Sequence, residues 1–271
     1  MSREELELAV EWAAREGWNP GLNDAAAFFA ADPGGFFVAE AEGEVVGAIA
    51  AVSYGRDFGF IGLYIVRPGM RGRRCGLMLA ERAAAHLAGR TIGVDGVLGK
   101  QRQYAKFFGL QFAHRNIRFG GVVAGDLAGD DFVDLRSVPI EDILAFDRRY
   151  FPGPRDAFLR AWLAMPNAVG YACVADGLRG YGVIRQCREG FKVGPLFAET
   201  AEAGERLFLA LCTHAKGQTV FLDVPEINAT GVAMAANHGL REVFATARMY
   251  RGSAPELPMD GIFGVTTFEL G

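Results

Sequence analysis

Gly62-Leu63-Tyr64-Ile65-Val66-Arg67-Pro68-Gly69-Met70-Arg71-Gly72-Arg73-Arg74-Cys75-Gly76-Leu77 leads from an apolar strand-like run into a segment with helical periodicity. The loop 71–76 between them holds three arginines and two glycines. The first N–H groups of a helix lack intrahelical partners, and glycine lets an anion approach the main chain. A diphosphate suits such a junction. The spacing matches neither Gly-x-Gly-x-x-Gly nor Gly-Lys-Ser/Thr, so the dinucleotide fingerprint and the P-loop are set aside.

Outward from this loop, Ser2-x-x-Glu5 has capping-box spacing, and Leu6, Ala9, Val10 and Ala13 recur on one helical face up to Gly17. A second helix is expected over 23–31, closed by Asp32-Pro33-Gly34-Gly35, then strands over 36–41, 44–53 and 58–66. After the loop come a helix to about residue 89, a strand over 91–97, a helix over 101–108 and a strand over 110–119. The order is ααβββαβαβ. The stretch 120–131, with Gly120, Gly121, Gly125 and Gly129 among Asp126, Asp130 and Asp131, reads as a linker between units 1–125 and 126–271. The second unit repeats the order: a short strand at 132–135, helices at 140–149 and 155–163, and strands at 169–175, 180–186 and 191–197. A helix at 201–215, a strand at 219–224, a helix at 229–238 and a strand at 241–250 follow. Residues repeat as well. Thr91-x3-Asp95 returns as Thr219-x3-Asp223, and Phe112-Ala113-x6-Gly120 as Phe244-Ala245-x6-Gly252, so an internal duplication is expected. A last strand over 262–270 fits either unit.

The chain has 271 residues, 51% of them hydrophobic, enough to fill the core of one large domain or two ordinary ones. Its 28 basic and 32 acidic residues leave a net charge of −4, which argues against nucleic acid or an anionic membrane as partner. The apolar stretch 58–66 is far shorter than the roughly 20 residues of a spanning helix, and no apolar signal region follows Met1, so a cytoplasmic protein is expected. Cys75, Cys173, Cys187 and Cys212 are scattered without a Cys-x-x-Cys, so neither a disulfide framework nor a metal site is expected. His114, alone on a strand, reads as a structural group.

On the quoted stretch the chain resembles the GNAT superfamily of acetyl-CoA-dependent N-acetyltransferases, whose pyrophosphate loop reads Arg/Gln-x-x-Gly-x-Gly/Ala after the fourth strand. The pattern falls on Arg71, Gly72, Arg73, Arg74, Cys75 and Gly76, with Arg74 in place of the first motif glycine; Tyr64-Ile65-Val66-Arg67-Pro68 and Leu77 fit on either side. Both halves follow the GNAT element order, so the resemblance covers nearly the whole chain, as in tandem GNAT proteins of bacteria. It implies an α/β (α+β) fold of two tandem GNAT-like domains, each a mixed, mostly antiparallel sheet flanked by helices. It also implies acetyl-CoA as cofactor, with Leu63, Tyr64, Ile65 and Val66 pairing with the pantetheine arm like an added strand where two strands splay apart. A backbone N–H there polarises the thioester carbonyl, and Arg71 through Leu77 hold the diphosphate. The implied activity is transfer of an acetyl group to a primary amine of a small molecule, or to an exposed amino group, by direct attack on the thioester.

In the second half, Glu199, Glu202 and Glu205 stand where a diphosphate needs donors. A like-charge contact at about 4 Å costs roughly 1 kcal/mol even in water. The unit 126–271 is therefore expected to bind no CoA and to wall the acceptor pocket.

An amine with a lysine-like pKa must lose a proton at a cost of about 4.6 kcal/mol at pH 7, so the base matters most. Candidates are Asp57, Asp95 and Asp24; no Glu occurs in 58–66, where many family members carry one. Asp223 matches Asp95 in the repeat, which favours a structural role for both. Tyr104 resembles the family's acid on its fourth helix, one residue further from the following glycine than usual. Trp18, Asn23 and Asp24, in the early acceptor-side loop, and Arg155, in the equivalent loop of the second half, are candidate acceptor contacts. A non-catalytic acyl-CoA sensor is the alternative reading; aminoacyl transfer from tRNA is disfavoured by the acidic balance. A monomer or homodimer is expected.

Overall fold

The computed structural model describes residues 1–126 and 132–271. α1 (Arg3–Arg15) starts on the expected capping box: Ser2 Oγ accepts the Glu5 N–H at 3.2 Å, and Glu5 Oε2 accepts the Ser2 N–H. Such a cap contributes about 1 kcal/mol. Leu6, Ala9, Val10 and Ala13 bury its apolar face.

α2 (Asp24–Ala31) leads into a meander of β1 (Phe36–Ala41), β2 (Glu44–Tyr54) and β3 (Phe58–Val66), then α3 (Cys75–His86), β4 (Thr91–Val97), α4 (Gln101–Phe108) and β5 (Gln111–Val122). The second half comprises β6 (Phe132–Asp134), α5 (Ile140–Asp147), α6 (Asp156–Leu163), β7 (Ala168–Ala175), β8 (Gly177–Gln186) and β9 (Phe191–Ala198). It continues with α7 (Ala201–Cys212), β10 (Thr219–Pro225), α8 (Ala229–Asn237), β11 (Arg241–Arg251) and β12 (Ile262–Gly264).

The strands form one sheet, in the order β1-β2-β3-β4-β11-β5-β10-β9-β8-β7-β6, with β12 on β9. The two long strands β5 and β11 are exchanged. β11 pairs with β4 of the first half, β5 pairs with β10 of the second, and the two lie against each other in the middle. Outward from the β11–β5 pair, β4-β3-β2-β1 is mirrored by β10-β9-β8-β7, as expected of a duplicated unit, with β6 added at the outer edge of the second half. Gly120 and Gly121 belong to β5, not to a linker: pairing with β10 satisfies their backbone, and Phe221 covers the space a side chain at Gly120 would need. Of the expected linker, Gly129, Asp130 and Asp131 lie outside the described residues.

Buried ion pairs tie the exchanged strands to their hosts. Arg248 on β11 grips Asp95 on β4 through Nε and Nη2 at 3.0 and 2.6 Å. Arg118 on β5 grips Asp223 on β10 at 2.6 and 2.7 Å. The twin aspartates of the repeat thus do the same work in both halves. On one face of the sheet α1, α2, α5 and α6 share a core across the halves, with Phe28 of α2 stacked on Trp162 of α6 at 6.4 Å.

The segment 262–270 is strand only at β12, which pairs with β9. The chain then runs back to the first half, where Tyr54 donates its hydroxyl hydrogen bond to the Leu270 carbonyl. It therefore serves both halves.

Candidate active site

β3 and β4 are paired in parallel only from Phe58↔Thr91 to Ile61↔Val94. Beyond that point β4 stays on β11 as far as Val97↔Thr246, and β3 stays on β2 alone. The strands part because each follows its other neighbour. Opposite Ile49, β3 carries two residues, Leu63 and Tyr64, a bulge in which Leu63 takes a left-handed φ of 45°. A bulge leaves its extra residue outside the ladder and turns the backbone. Leu63 thus lies at the mouth of the gap, on the edge of β3 that β4 no longer pairs.

The gap opens into a chamber that passes through the sheet. Toward α3 and α4 it is walled by Ala80, Tyr104 and Phe108, and toward the other face by Trp18, Phe244, Phe268 and Glu269. Tyr104 does reach it despite the extra residue in its helix, because its ring lies over Gly96, where a Cβ would stand 2.4 Å away. Burial raises the Tyr104 pKa, opposed by a hydrogen bond with the Val97 backbone. Burial, helped by Tyr104, likewise raises that of Tyr64.

Beside the chamber the loop 71–76 enters α3 without any side-chain cap. Its first-turn amides are therefore available to an anion. Tyr64 lies against Gly76, where a Cβ would meet its hydroxyl at 2.7 Å. Arg71 is held by the Val66 carbonyl and by Glu16, while Arg73 and Arg74 are exposed. Arg74 adopts the left-handed conformation, φ 66° and ψ −14°, that the motif glycine would take without strain. That conformation costs a non-glycine residue about 1–2 kcal/mol, against about 0.5–1 kcal/mol for the greater chain entropy of glycine. Arg74→Gly is expected to raise the melting temperature by about 1–3 °C; an unchanged or lower value in a thermal melt would contradict a strained Arg74.

The second half lacks both features. Thr200 caps α7 by accepting the Ala203 N–H at 3.2 Å, and Glu199 is held by Arg149 and Arg179. β12 and residues 265–266 fill the gap between β9 and β10: a Cβ on Gly194 would stand 2.6 Å from the Val265 and Thr266 carbonyls.

Of the candidate bases, Asp95 lines the chamber but its oxygens are taken up by Arg248, Asn116 and Thr246. Proton uptake there would break a buried charge-assisted pair, so the role read for it as a base gives way to the structural one. Asp57 is exposed in the turn at the opposite end of β3 from the gap. Asp24 is fully buried, bonded to Arg185 and to the Gly21 N–H, away from the chamber. Arg155 does not face the cleft either; it is buried against Asp147 and Thr266, stacked 4.0 Å from the Phe151 ring centroid. Asn23 is spent on the Pro166 carbonyl. Trp18 does line the chamber, its carbonyl held by Arg118. Burial, then the charge of Arg248, lowers the His114 pKa to about 4, which keeps it neutral at pH 7.

Glu269 was not among the candidates. It is 2% exposed, lines the chamber, and neither carboxylate oxygen has a hydrogen-bond partner. Its main chain crosses β3 so closely that a Cβ on Gly62 would lie 1.7 Å from its carbonyl oxygen. Leaving a buried polar group unpaired costs about 1–3 kcal/mol, and more for a charged one. The one sequence signal was a single charged residue in the otherwise uncharged run 261–271.

A family model described as Acetyltransferase (GNAT) family matches residues 4–108, and one described as Acetyltransferase (GNAT) domain matches 143–264. The chain is 31% identical over 273 residues to the holothin acyltransferase of Pseudoalteromonas sp. (strain SANK 73390), covering 100% of this chain and 92% of that one. A crystal structure from Pyrococcus horikoshii has the same fold, with a TM-score of 0.84 at 19% identity, over 100% of this chain and 94% of that one. A tandem GNAT protein from the clavulanic acid biosynthesis pathway has a TM-score of 0.63 at 16% identity, over 94% of this chain and 98% of that one. With two GNAT units in sequence, their order kept and their long strands exchanged, the chain belongs to the GNAT acyltransferase family.

Proposed function

We propose that the protein is an acetyl-CoA-dependent N-acetyltransferase that transfers the acetyl group to a primary amine of a small molecule, or to an exposed amino group, by direct attack on the thioester. Unit 1–125 binds acetyl-CoA; unit 126–271 binds none and walls the acceptor site. The observation that carries this reading is the free edge of β3 beside the uncapped N-terminus of α3, both next to a chamber that reaches the other face of the sheet.

Gly72, Arg74, Cys75, Gly76 and Leu77 offer main-chain N–H groups to the diphosphate, while Arg71 and Arg73, whose N–H groups bond the Pro68 and Met70 carbonyls, add the charge of their guanidinium groups. Leu63, Tyr64, Ile65 and Val66 pair with the pantetheine arm. Tyr104 stays protonated, because its pKa lies above the ordinary phenol value of about 10. A thiolate near 8.5 does not take that proton favourably, so Tyr104 assists the departing sulfur as a hydrogen-bond donor.

The test incubates the protein with acetyl-CoA and phenethylamine, putrescine, a peptide with a free N-terminus, or holothin, and follows thiol release. Holothin joins the panel because the relative is named for acylating it. Amine-dependent release is expected. Tight binding of acetyl-CoA with no release for any amine would overturn transfer and leave the sensor reading. Gly72 has a φ of 84° with open space around it, so Gly72→Glu combines backbone strain with a carboxylate at the diphosphate. It is expected to weaken acetyl-CoA binding by about tenfold or more in calorimetry; unaltered affinity would place the diphosphate elsewhere.

A further inference from the structure

Both oxygens of Glu269 are buried and unpartnered, yet the residue sits amid cations. Its charge acts on Arg118, Arg185 and Lys192. None of these donates a hydrogen bond to it: Arg118 is bound to Asp223 and the Trp18 carbonyl, Arg185 to Asp24, and Lys192 to the Asn19 carbonyl. Three cations thus face three carboxylates, Asp24, Asp223 and Glu269. The field compensates Glu269 while its lone pairs remain free to accept a proton.

Around it on the same side of the sheet stand the rings of Trp18, Phe244 and Phe268. The Arg118 guanidinium already lies over the Phe244 and Phe268 rings, 5.8 and 4.7 Å from their centroids, so these walls serve to bury a flat apolar body while Glu269 meets the ammonium. Asp95, the other carboxylate in the chamber, is bonded on both oxygens, Oδ1 by Asn116, Thr246 and Arg248 Nε and Oδ2 by Arg248 Nη2, so protonating it would break a charge-assisted pair.

We propose that Glu269, carried back from the second half to the gap in the first, is the base that takes a proton from the acceptor, and that the acceptor is a primary amine on a small, flat apolar frame. This rests on the transferase reading above. The ammonium gives one proton to Glu269; the freed nitrogen lone pair forms the N–C bond at the thioester carbonyl carbon, and the C–S bond breaks with its electrons on sulfur. The second proton lost by nitrogen passes to the thiolate, and Glu269 returns its own to solvent. The duplication gains a purpose in this scheme. The second half fills its own gap with the segment that arms the gap of the first.

The experiment compares wild type with Glu269→Gln on acetyl-CoA and phenethylamine, with putrescine as the polar comparison. Phenethylamine is expected to exceed putrescine in kcat/KM by more than tenfold. Glu269→Gln is expected to lose about 10²–10⁴-fold on phenethylamine, with acetyl-CoA affinity unchanged. Its residual rate is expected to climb about tenfold per pH unit up to the pKa of the amine, as when only free amine reacts, while wild type levels off. Glu269→Met, which keeps the side-chain volume without the carboxylate or its amide isostere, is expected to show the same kinetics, and a thermal melt of each variant separates a fold defect from loss of the base. Wild-type rate or a wild-type pH profile in either variant overturns the role of Glu269, and preference for putrescine overturns the acceptor class. Thiol release absent from wild type itself marks failure of the transferase reading, and this inference falls with it.

Discussion

Asp223→Asn is expected to reduce the free energy of unfolding by about 3–5 kcal/mol, because it strands Arg118 as a buried cation. Arg118 is 3% exposed and Asp223 fully buried, bound through two short hydrogen bonds across the exchanged β5–β10 pair. Burial raises the Asp223 pKa, but the charge and hydrogen bonds of Arg118, with Lys192 and Arg185, outweigh it and leave the pKa lowered. A carboxylate lowered in the folded state stabilises fully above its unfolded pKa of about 3.9, and that contribution fades as pH falls through the folded value. The gap between wild type and Asp223→Asn in denaturant melts is therefore expected to be constant from pH 7 to about pH 5 and to shrink below pH 4. Adding Arg118→Met removes the stranded charge and is expected to recover much of the loss, since an apolar replacement of a buried pair is often close to neutral. A single variant within about 0.5 kcal/mol of wild type at pH 7 would mean that the pair does not hold the halves together.

Gly62→Ala is expected to be the most damaging glycine-to-alanine change among the described residues. The added Cβ would stand 1.7 Å from the Glu269 carbonyl oxygen and 2.7 Å from its carbon, backbone atoms that cannot swing aside as a side chain can. Such overpacking typically costs about 1–3 kcal/mol, occasionally more. The relief available is for the segment around Phe268 and Glu269 to lift off β3, taking one wall of the chamber with it. With the base displaced, turnover is expected to fall at least about 100-fold. Gly99→Ala is the control: nothing lies within 4 Å of its Cβ. If Gly62→Ala matched Gly99→Ala in both melting temperature and turnover, the crossing of β3 by this segment would be refuted.

The helices and strands were legible because caps, glycine stops and apolar periods act between neighbours a few residues apart. Ser2 with Glu5, and the strand–loop–helix passage around Arg71, are of that kind. Asp95 was read as either base or support, and nothing local distinguishes the two; Arg248, on a strand from the other half, makes the difference. Asp24, Asn23 and Arg155 were read toward the acceptor by their position in loops, yet each is bonded to a remote residue: Arg185, the Pro166 carbonyl and Thr266.

Residue pattern, through the family it resembles, anticipated the duplicated GNAT fold and marked the loop 71–76 proposed to hold a diphosphate. It did not reveal the exchange of β5 and β11 or the return of Glu269 to Gly62. Those depend on which strand edge a distant segment reaches and on how buried charges divide among partners. Such contacts arise in three dimensions between residues far apart in the chain, so neither spacing nor composition records them.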